Sequence, residues 1–455
     1  MSALMIALAQ ALPSVQPQLD AVRQAPTLHR MIRLAWQLGL AIAVLIVQDI
    51  LQERGRAPAE PQICPQCQTR LHSKGLLPRQ LTTVLGVIRW ERRVLRCPHQ
   101  CPIGQIAPSD TALGLVPHQE TSTELMAMAC SLAVFVPFET AAVLLNRLTG
   151  IIISPVTIWN WVQAIGKQSM ERLDRDLQAL ADGQTPDVEP IDAATAALPL
   201  AIGGDGVMVP FRPNPGTPAG HTRWREVKVA ILARLKPSTN QQGESVIRLE
   251  RRRLVAVLGG IDALSSRLWL EALRQGVLTA KVVVWLSDGG RGLWRLFNDL
   301  FAKCATGVLD FYHATQHLWQ AAKSWQDGRT RAARDWFVKV RHQLRHGEEQ
   351  AVLAELKTTL ALNELPAGAR STLQNVYDYL LKHSDHIQYE KFKELGLPLG
   401  SGMVESACKW LIQQRFKGVG MRWSEDGFNH LLHLRLAWVN GRFDALFLPE
   451  ASPNG

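Results

Sequence analysis

No signal peptide is expected, since the first residues show little of its pattern: no positive segment, apolar core and small-residue cleavage site in that order. The sequence also lacks a clean membrane span. Leu34 to Leu51 is apolar, but Gln37, Gln48 and Asp49 interrupt it, and it falls short of the ~20 apolar residues that a span needs. That stretch reads as a core or dimerisation helix. The seven cysteines make no disulfide framework in a chain of 455 residues. Four are grouped, while Cys130, Cys304 and Cys408 stand singly in apolar or helical surroundings, which fits a reducing compartment. No motif of a covalent nucleophile stands out. Acid is in deficit, with 40 Asp and Glu against 50 Lys and Arg, leaving +10. Such an excess favours an anionic partner, nucleic acid before others. The expectation is a cytoplasmic, nucleoid-associated protein of two to four domains with no membrane partner.

What is present begins with the grouped cysteines. Cys64-Pro-Gln-Cys67 and Cys97-Pro-His-Gln-Cys101 flank a segment, Gln80 to Leu95, of β-forming residues with the basic residues Arg89, Arg92, Arg93 and Arg96. Two close cysteine pairs joined by a hairpin are the pattern of a zinc ribbon, each pair aiming two thiolates at one tetrahedral ion. Four protein ligands leave no open position, so the Zn²⁺ would be structural. The second pair is one residue wider than the first, which leaves His99 as an alternative ligand. The arginines would be either solvated or on DNA phosphates.

Downstream, Thr121 to Phe135 and Phe138 to Leu148 read as helices, with a break at Thr149-Gly150. Ser154-Pro155 then starts a third helix, Ser as N-cap and Pro at the first helical position. Helix, glycine turn, helix is the helix-turn-helix pattern. Thr157, Asn160 and Gln163 fall on one face of the third helix and are types that reach base edges or phosphates. A plain helical bundle with a polar outer face is the competing reading.

Residues 197–320 change character. Leu198–Ile202 leads into Gly203-Gly204-Asp205-Gly206 and Val207–Phe211. Strand-forming runs follow at 224–235 and 254–258, then an amphipathic helix at 262–275. Lys281 to Leu286 is a short β-branched run that suits the centre of a sheet covered on both faces. It ends at Ser287-Asp288-Gly289-Gly290, where open α/β sheets place their sites. A fifth strand is expected at Thr306 to Tyr312. Three meandering strands followed by alternating α and β is the order of an RNase H-like mixed sheet, with Asp205 and Asp288 on neighbouring central strands. Residues 318–395 read as an all-α insertion. After it, Ser401 or Gly402 starts a helix with Glu405 in its first turn, followed by Arg415, Lys417, Arg422 and a last helix to Val439.

Three carboxylates gathered at one point repel one another, and a fold keeps them only with a cation or with protons. Mg²⁺ on carboxylate oxygens is the usual answer for phosphodiester chemistry. Each acid has a plainer reading: Asp205 as a turn residue, Asp288 as a helix cap, Glu405 as a dipole partner paired with Lys409. Asp262 and Asp310 compete as acids, and His313 with His317 as a metal pair.

The blocks GGDGVMVP (203–210), WREVKVA (224–230), LSDGGRGLW (286–294), LDFYHATQHLW (309–319), GSGMVESACKW (400–410) and GMRWSEDG (420–427) together resemble the DDE transposases of bacterial insertion sequences, ISKra-type. The resemblance implies an RNase H-like core interrupted by a helical insertion. It implies catalysis by Asp205, Asp288 and Glu405 with Mg²⁺ or Mn²⁺. Its partners would be double-stranded DNA, both the element's terminal inverted repeats and the target, bound by a homo-oligomer. Thr157, Asn160, Gln163, Arg415, Lys417 and Arg422 are the expected DNA contacts. The expected organisation is a helical segment (1–60), zinc ribbon (61–110), helix-turn-helix region (111–181), linker (182–196), core (197–320), insertion (321–396), returning core (397–447) and tail (448–455). A regulator derived from an inactive transposase, and a metal-dependent nuclease without strand transfer, are the alternatives.

Overall fold

A computed structural model describes residues 13, 15–58, 60–216 and 221–448. The expected tail beyond Leu448 lies outside the described residues. The chain forms two compact units, residues 1–162 with 444–455, and residues 163–443. The division falls inside a helix and not at the expected linker 182–196. That segment is anchored within the second unit: Glu189 binds Arg253 at 2.8 Å and also pairs with Arg442.

In the first unit, helix α1 (Leu28–Arg56) precedes a hairpin of β1 (His72–Thr83) and β2 (Gly86–Arg96). The expectation that Leu34 to Leu51 falls short of a span is corrected, because among the described residues α1 is the one helix long and apolar enough to cross a membrane. In this fold part of its apolar surface has another use. Val44, Val47 and Leu51 pack on the hairpin's buried Leu81, Ile88 and Trp90. Two α1 glutamines complete the contact: Arg89 N–H donates to Gln48 Oε1 and Glu91 N–H to Gln52 Oε1, both at 2.9 Å. The free edge of β2 is thereby covered, which removes a template for unwanted strand pairing. Gly55 is required by the close approach, since a Cβ there would lie 2.1 Å from the Glu91 carbonyl oxygen.

Helices α2 (Thr123–Phe135) and α3 (Phe138–Thr149) follow, each within two residues of its expected bounds. Gly150 ends α3 at φ 77°, the left-handed conformation that glycine adopts without a steric penalty. Helix α4 (Pro155–Ala181) starts as the sequence indicated, with Thr157 N–H donating to Ser154 Oγ at 3.0 Å. Leu125, Ala129, Leu145, Ile158 and Val162, on these three helices, are all fully buried.

The second unit is built on a five-stranded mixed sheet. Its strands are β3 (Leu200–Phe211), β4 (Arg223–Thr239), β5 (Ser245–Leu258), β6 (Val283–Ser287) and β7 (Thr306–Leu309), in the order β5-β4-β3-β6-β7. β3, β4 and β5 run antiparallel as a meander, and β6 and β7 lie parallel to β3. β6 is buried along its whole length, as its unbroken apolar run required. Helices α5 (Ile261–Arg274) and α6 (Arg291–Leu296) cross between strands. Trp285 is fully buried and stacks on Phe301 at 5.5 Å between ring centroids.

One local expectation, the extent of the fifth strand, is corrected. β3 runs through the glycines at 203–206 as one strand, so Asp205 lies on the first strand as expected and the alternative reading of it as a turn residue fails. The glycines answer to crowding: a Cβ on Gly203 would stand 2.5 Å from Val404 Cγ2 and 2.7 Å from the Leu286 carbonyl. The fifth strand stops at Leu309, and Phe311 opens helix α7 (Phe311–Trp325) with Asp310 as its cap. Aromatic residues in Phe311-Tyr-His carried β propensity, and the cap overrode it.

The expected helical insertion continues from α7 through α8 (Arg331–Arg345), α9 (Glu349–Leu360), α10 (Ala369–Lys382) and α11 (Tyr389–Glu394). The chain then returns as α12 (Gly402–Ala407), extended by a π-turn to Gln413, and α13 (Glu425–Val439).

Candidate active site

Asp205 and Asp288 meet through strand register. Gly203 of β3 pairs with Leu286 of β6, so Asp205 and Asp288 stand two positions further along adjacent parallel strands. Ser287 pairs with Leu309 of β7, so Asp310 is the next in the row. The carboxyl ends of parallel strands are where such sheets place their ligands.

The aspartates differ in their surroundings. Asp205 accepts the Gly206 N–H at 2.6 Å. Burial raises its carboxyl above the ordinary range, and the charge of Asp288 pushes the same way against that hydrogen bond. Asp288 accepts the Gly290 N–H at 2.9 Å within the loop, and it is not the cap of α6, whose N-cap is Gly290 with no side-chain bond. Asp310 is 3% exposed and accepts three protein hydrogen bonds, from His313 N–H, Ser401 N–H and Ser401 Oγ. Burial opposes its ionisation, but the hydrogen bonds from His313 and Ser401 prevail and hold it far below the usual carboxylate range. Its bond to His313 in turn raises the His313 imidazole, with the charges of Asp288 and Asp205 acting in the same direction.

Glu405 arrives from α12, whose Val404 and Met403 lie against Gly203. Glu405 is exposed, and its charge and that of Asp205 both bear on the Cys408 thiol. Asp205 and Asp288 are near enough for the charge of one to act on the other, while Glu405 reaches this side of the sheet through the packing of α12 on Gly203. Among the described residues, only the cysteine quartet forms a group of three or more ligand side chains with donor atoms within 4.8 Å of one another.

The reading of the residues alone missed Tyr379. It comes from α10 in the insertion and covers Gly289, where a Cβ would lie 2.0 Å from its ring. Its ring also sits 4.2 Å from that of His317, which argues against His317 facing His313 as a metal pair. Burial raises the Tyr379 hydroxyl well above its ordinary range, and the charge of Asp288 adds to this. No local sequence signal marks this residue, because topology alone delivers it.

In the first unit, Cys64, Cys67, Cys97 and Cys101 form a group that could hold a metal ion. Cys67 and Cys97 Sγ are 3.4 Å apart. Thr69 lowers the Cys67 thiol to about 6, while the neighbouring sulfurs push Cys101 up to about 12. Four sulfurs this close hold protons awkwardly, and a thiophilic cation relieves that by taking them as thiolates. His99 is exposed and outside the quartet, so the wider second knuckle still presents two cysteines. Arg92 is neither solvated nor free for phosphates, because it pairs with Asp110 at 2.7 Å with both side chains at most 15% exposed.

The other expected contacts divide. Asn160 is exposed on α4. The Thr157 hydroxyl lies 2.8 Å from that of the Ser154 cap, and Gln163 Oε1 is 2.7 Å from His430 Nδ1. Lys417 is exposed, its ammonium 5.6 Å from the centre of the Trp224 ring, and Arg422 is also exposed. Arg415 is a correction: it is 2% exposed with its guanidinium over Trp423, so it serves the interior.

No protein-family model matches the chain. It is 24% identical over 378 residues to a Streptococcus gallolyticus protein described as "UPF0236 protein in vanSb 3'region", across 81% of this chain and 74% of that one. Among solved structures, the Drosophila P element transposase strand transfer complex is matched over 71% of this chain and 80% of that one, at 12% identity. The TM-score of that superposition is 0.25, too low to carry an argument.

Proposed function

We propose that this chain is a DNA transposase, of the insertion-sequence DDE kind its sequence resembles. In this reading the second unit is an RNase H-like core with a helical insertion, and it hydrolyses DNA at an element's ends and joins the 3′-OH to target DNA. The observation that carries the reading is the parallel pairing of β3 with β6 up to Gly203 and Leu286, with Asp205 two residues on within β3 and Asp288 just past the end of β6. The strand order, with an antiparallel meander first and two strands parallel to β3 after it, supports the core assignment.

Asp205, Asp288 and Glu405 would hold Mg²⁺ or Mn²⁺. Their oxygens are the hard donors these ions prefer, and repulsion between Asp205 and Asp288 already favours a positive neighbour. Divalent ions in such a site activate the attacking oxygen and stabilise the leaving one. The protein supplies the frame: β3 and β6 fix two carboxylates, α12 brings the third, and Tyr379 covers the floor at Gly289. His313 sits beside the acids with its imidazole biased toward the cation by Asp310, where a phosphate would approach. The cysteine quartet would hold structural Zn²⁺ and keep the hairpin folded. The α2–α4 helices, through Asn160 and Thr157, would read the terminal repeats, with a homo-oligomer holding two ends in the cytoplasm.

The test is cleavage of DNA carrying the element's ends. Asp205→Asn, Asp288→Asn and Glu405→Gln are each expected to lose cleavage by a factor of at least ~10³ while still binding the DNA. Mg²⁺-dependent cleavage retained in all three would overturn the proposal. Failure to join a pre-cut 3′-OH end, with cleavage intact, would reduce it to a nuclease.

A further inference from the structure

Asp310 stands in the same row as Asp205 and Asp288, yet its bonding sets it apart. Oδ1 accepts His313 N–H at 2.8 Å, and Oδ2 accepts both Ser401 N–H and Ser401 Oγ–H at 2.5 Å. Asp205 and Asp288 each accept a single backbone N–H within their own loop or strand. Three donors on two nearly inaccessible oxygens leave Asp310 poorly placed to take a cation as well.

Asp310 and Ser401 lie 91 residues apart in sequence. The whole insertion leaves the core at Asp310 and re-enters it at Ser401. Two further contacts knot the same place. Phe311 N–H donates to the Leu399 carbonyl at 2.8 Å, and a Cβ on Gly400 would come within 2.8 Å of the Tyr312 ring. Directly downstream, the Ser401 carbonyl accepts Val404 N–H at 2.8 Å and Glu405 N–H at 3.3 Å, forming the first turn of α12.

We propose that Asp310 is a positioning residue whose clamp on Ser401 closes the neck of the insertion and fixes the helix that carries Glu405. The proposal rests on the reading of Glu405 as the third acid. The clamp sits at the start of a helical run that continues from Gly402 through the π-turn to Gln413, so it fixes the end of that run nearest the exposed Glu405. Hydrogen bonds to a carboxylate are of the stronger kind, and two of them at Ser401 set where the helix begins. The insertion thereby gains a mechanical link to the site, since its two ends are tied one turn before Glu405.

The experiment uses the full chain with Ser401→Ala and Ser401→Thr. Ser401→Ala removes one donor and should speed amide exchange across residues 401–407 roughly tenfold. It should raise the Mg²⁺ concentration for half-maximal cleavage of end DNA by about the same factor, at unchanged DNA affinity. Ser401→Thr keeps the hydroxyl and should restore both. Unchanged exchange in Ser401→Ala, or no restoration by Thr, would overturn the clamp. Wild-type cleavage by Glu405→Gln would instead remove the triad reading, and the exchange result would still decide the clamp by itself.

Discussion

The cysteine quartet and the row of acids are both candidate metal centres, and they are built in opposite ways. The quartet is local: two knuckles on one hairpin bring four sulfurs within 4.8 Å of one another. The acids come from a strand, the loop after its neighbour and a helix, with the insertion between Asp310 and Ser401, 91 positions apart, in between, and they are partly exposed. A structural centre is closed by the chain near it, whereas a catalytic one is left open by the fold around it. The difference teaches that distance along the chain separates the two roles as clearly as ligand type does.

The largest expected effect tests the closed side. Chelation, or Cys97→Ser, should unfold the hairpin region, because structural zinc supplies ~10 kcal/mol or more in such modules. Circular dichroism and protease sensitivity of residues 60–110 would report it, with the second unit unaffected. If the hairpin survives metal removal, Leu81, Ile88 and Trp90 suffice as its core and the contrast fails.

The second effect tests the frame of the open side. Trp285→Ala should cost about 3–5 kcal/mol in urea unfolding, since the indole is fully buried against Phe297 and Phe301. A smaller one comes at Gly203→Ala. The added methyl meets Val404 and the Leu286 carbonyl, so an overpacking cost of ~1–3 kcal/mol is expected together with reduced cleavage. Val404→Ala in the same chain should recover part of both, since it removes the flexible half of the clash.

The smallest effect is a pH dependence at the anchored linker. Burial opposes ionisation of Glu189, yet Arg442 and Arg253 outweigh it and hold the carboxyl at about 2 against an ordinary 4.5. A depressed carboxyl contributes stability in full above its unfolded value and loses it as pH falls toward the folded one. Unfolding measured at steps from pH 5 to 2.5 should therefore steepen in the wild type and be flatter in Glu189→Gln. Equal slopes would show that this network carries no acid sensitivity.

Much of this was legible in the chain. The cysteine spacing, the Ser154-Pro155 helix start and the buried run before Asp288 depend on neighbours within a few residues, and the structure has them where the sequence put them. The order of strands was readable because each run carried its own periodicity. Three things were not. The reason for the glycines of β3 shows only once Val404 is known to pack on Gly203. Arg415 looks like a surface cation until Trp423 is found over it. Tyr379 and the Asp310–Ser401 clamp depend on where the insertion leaves and returns, which no local pattern records.

The account turns on whether the acids of β3 and β6 ligate a shared cation. Anomalous scattering from crystals grown with Mn²⁺ and end DNA locates that cation directly. The prediction is a manganese peak held by Asp205 and Asp288, with Asp310 still bonded to Ser401 and not to the ion. A cation bound elsewhere, with Asp205 and Asp288 left without metal, would contradict it.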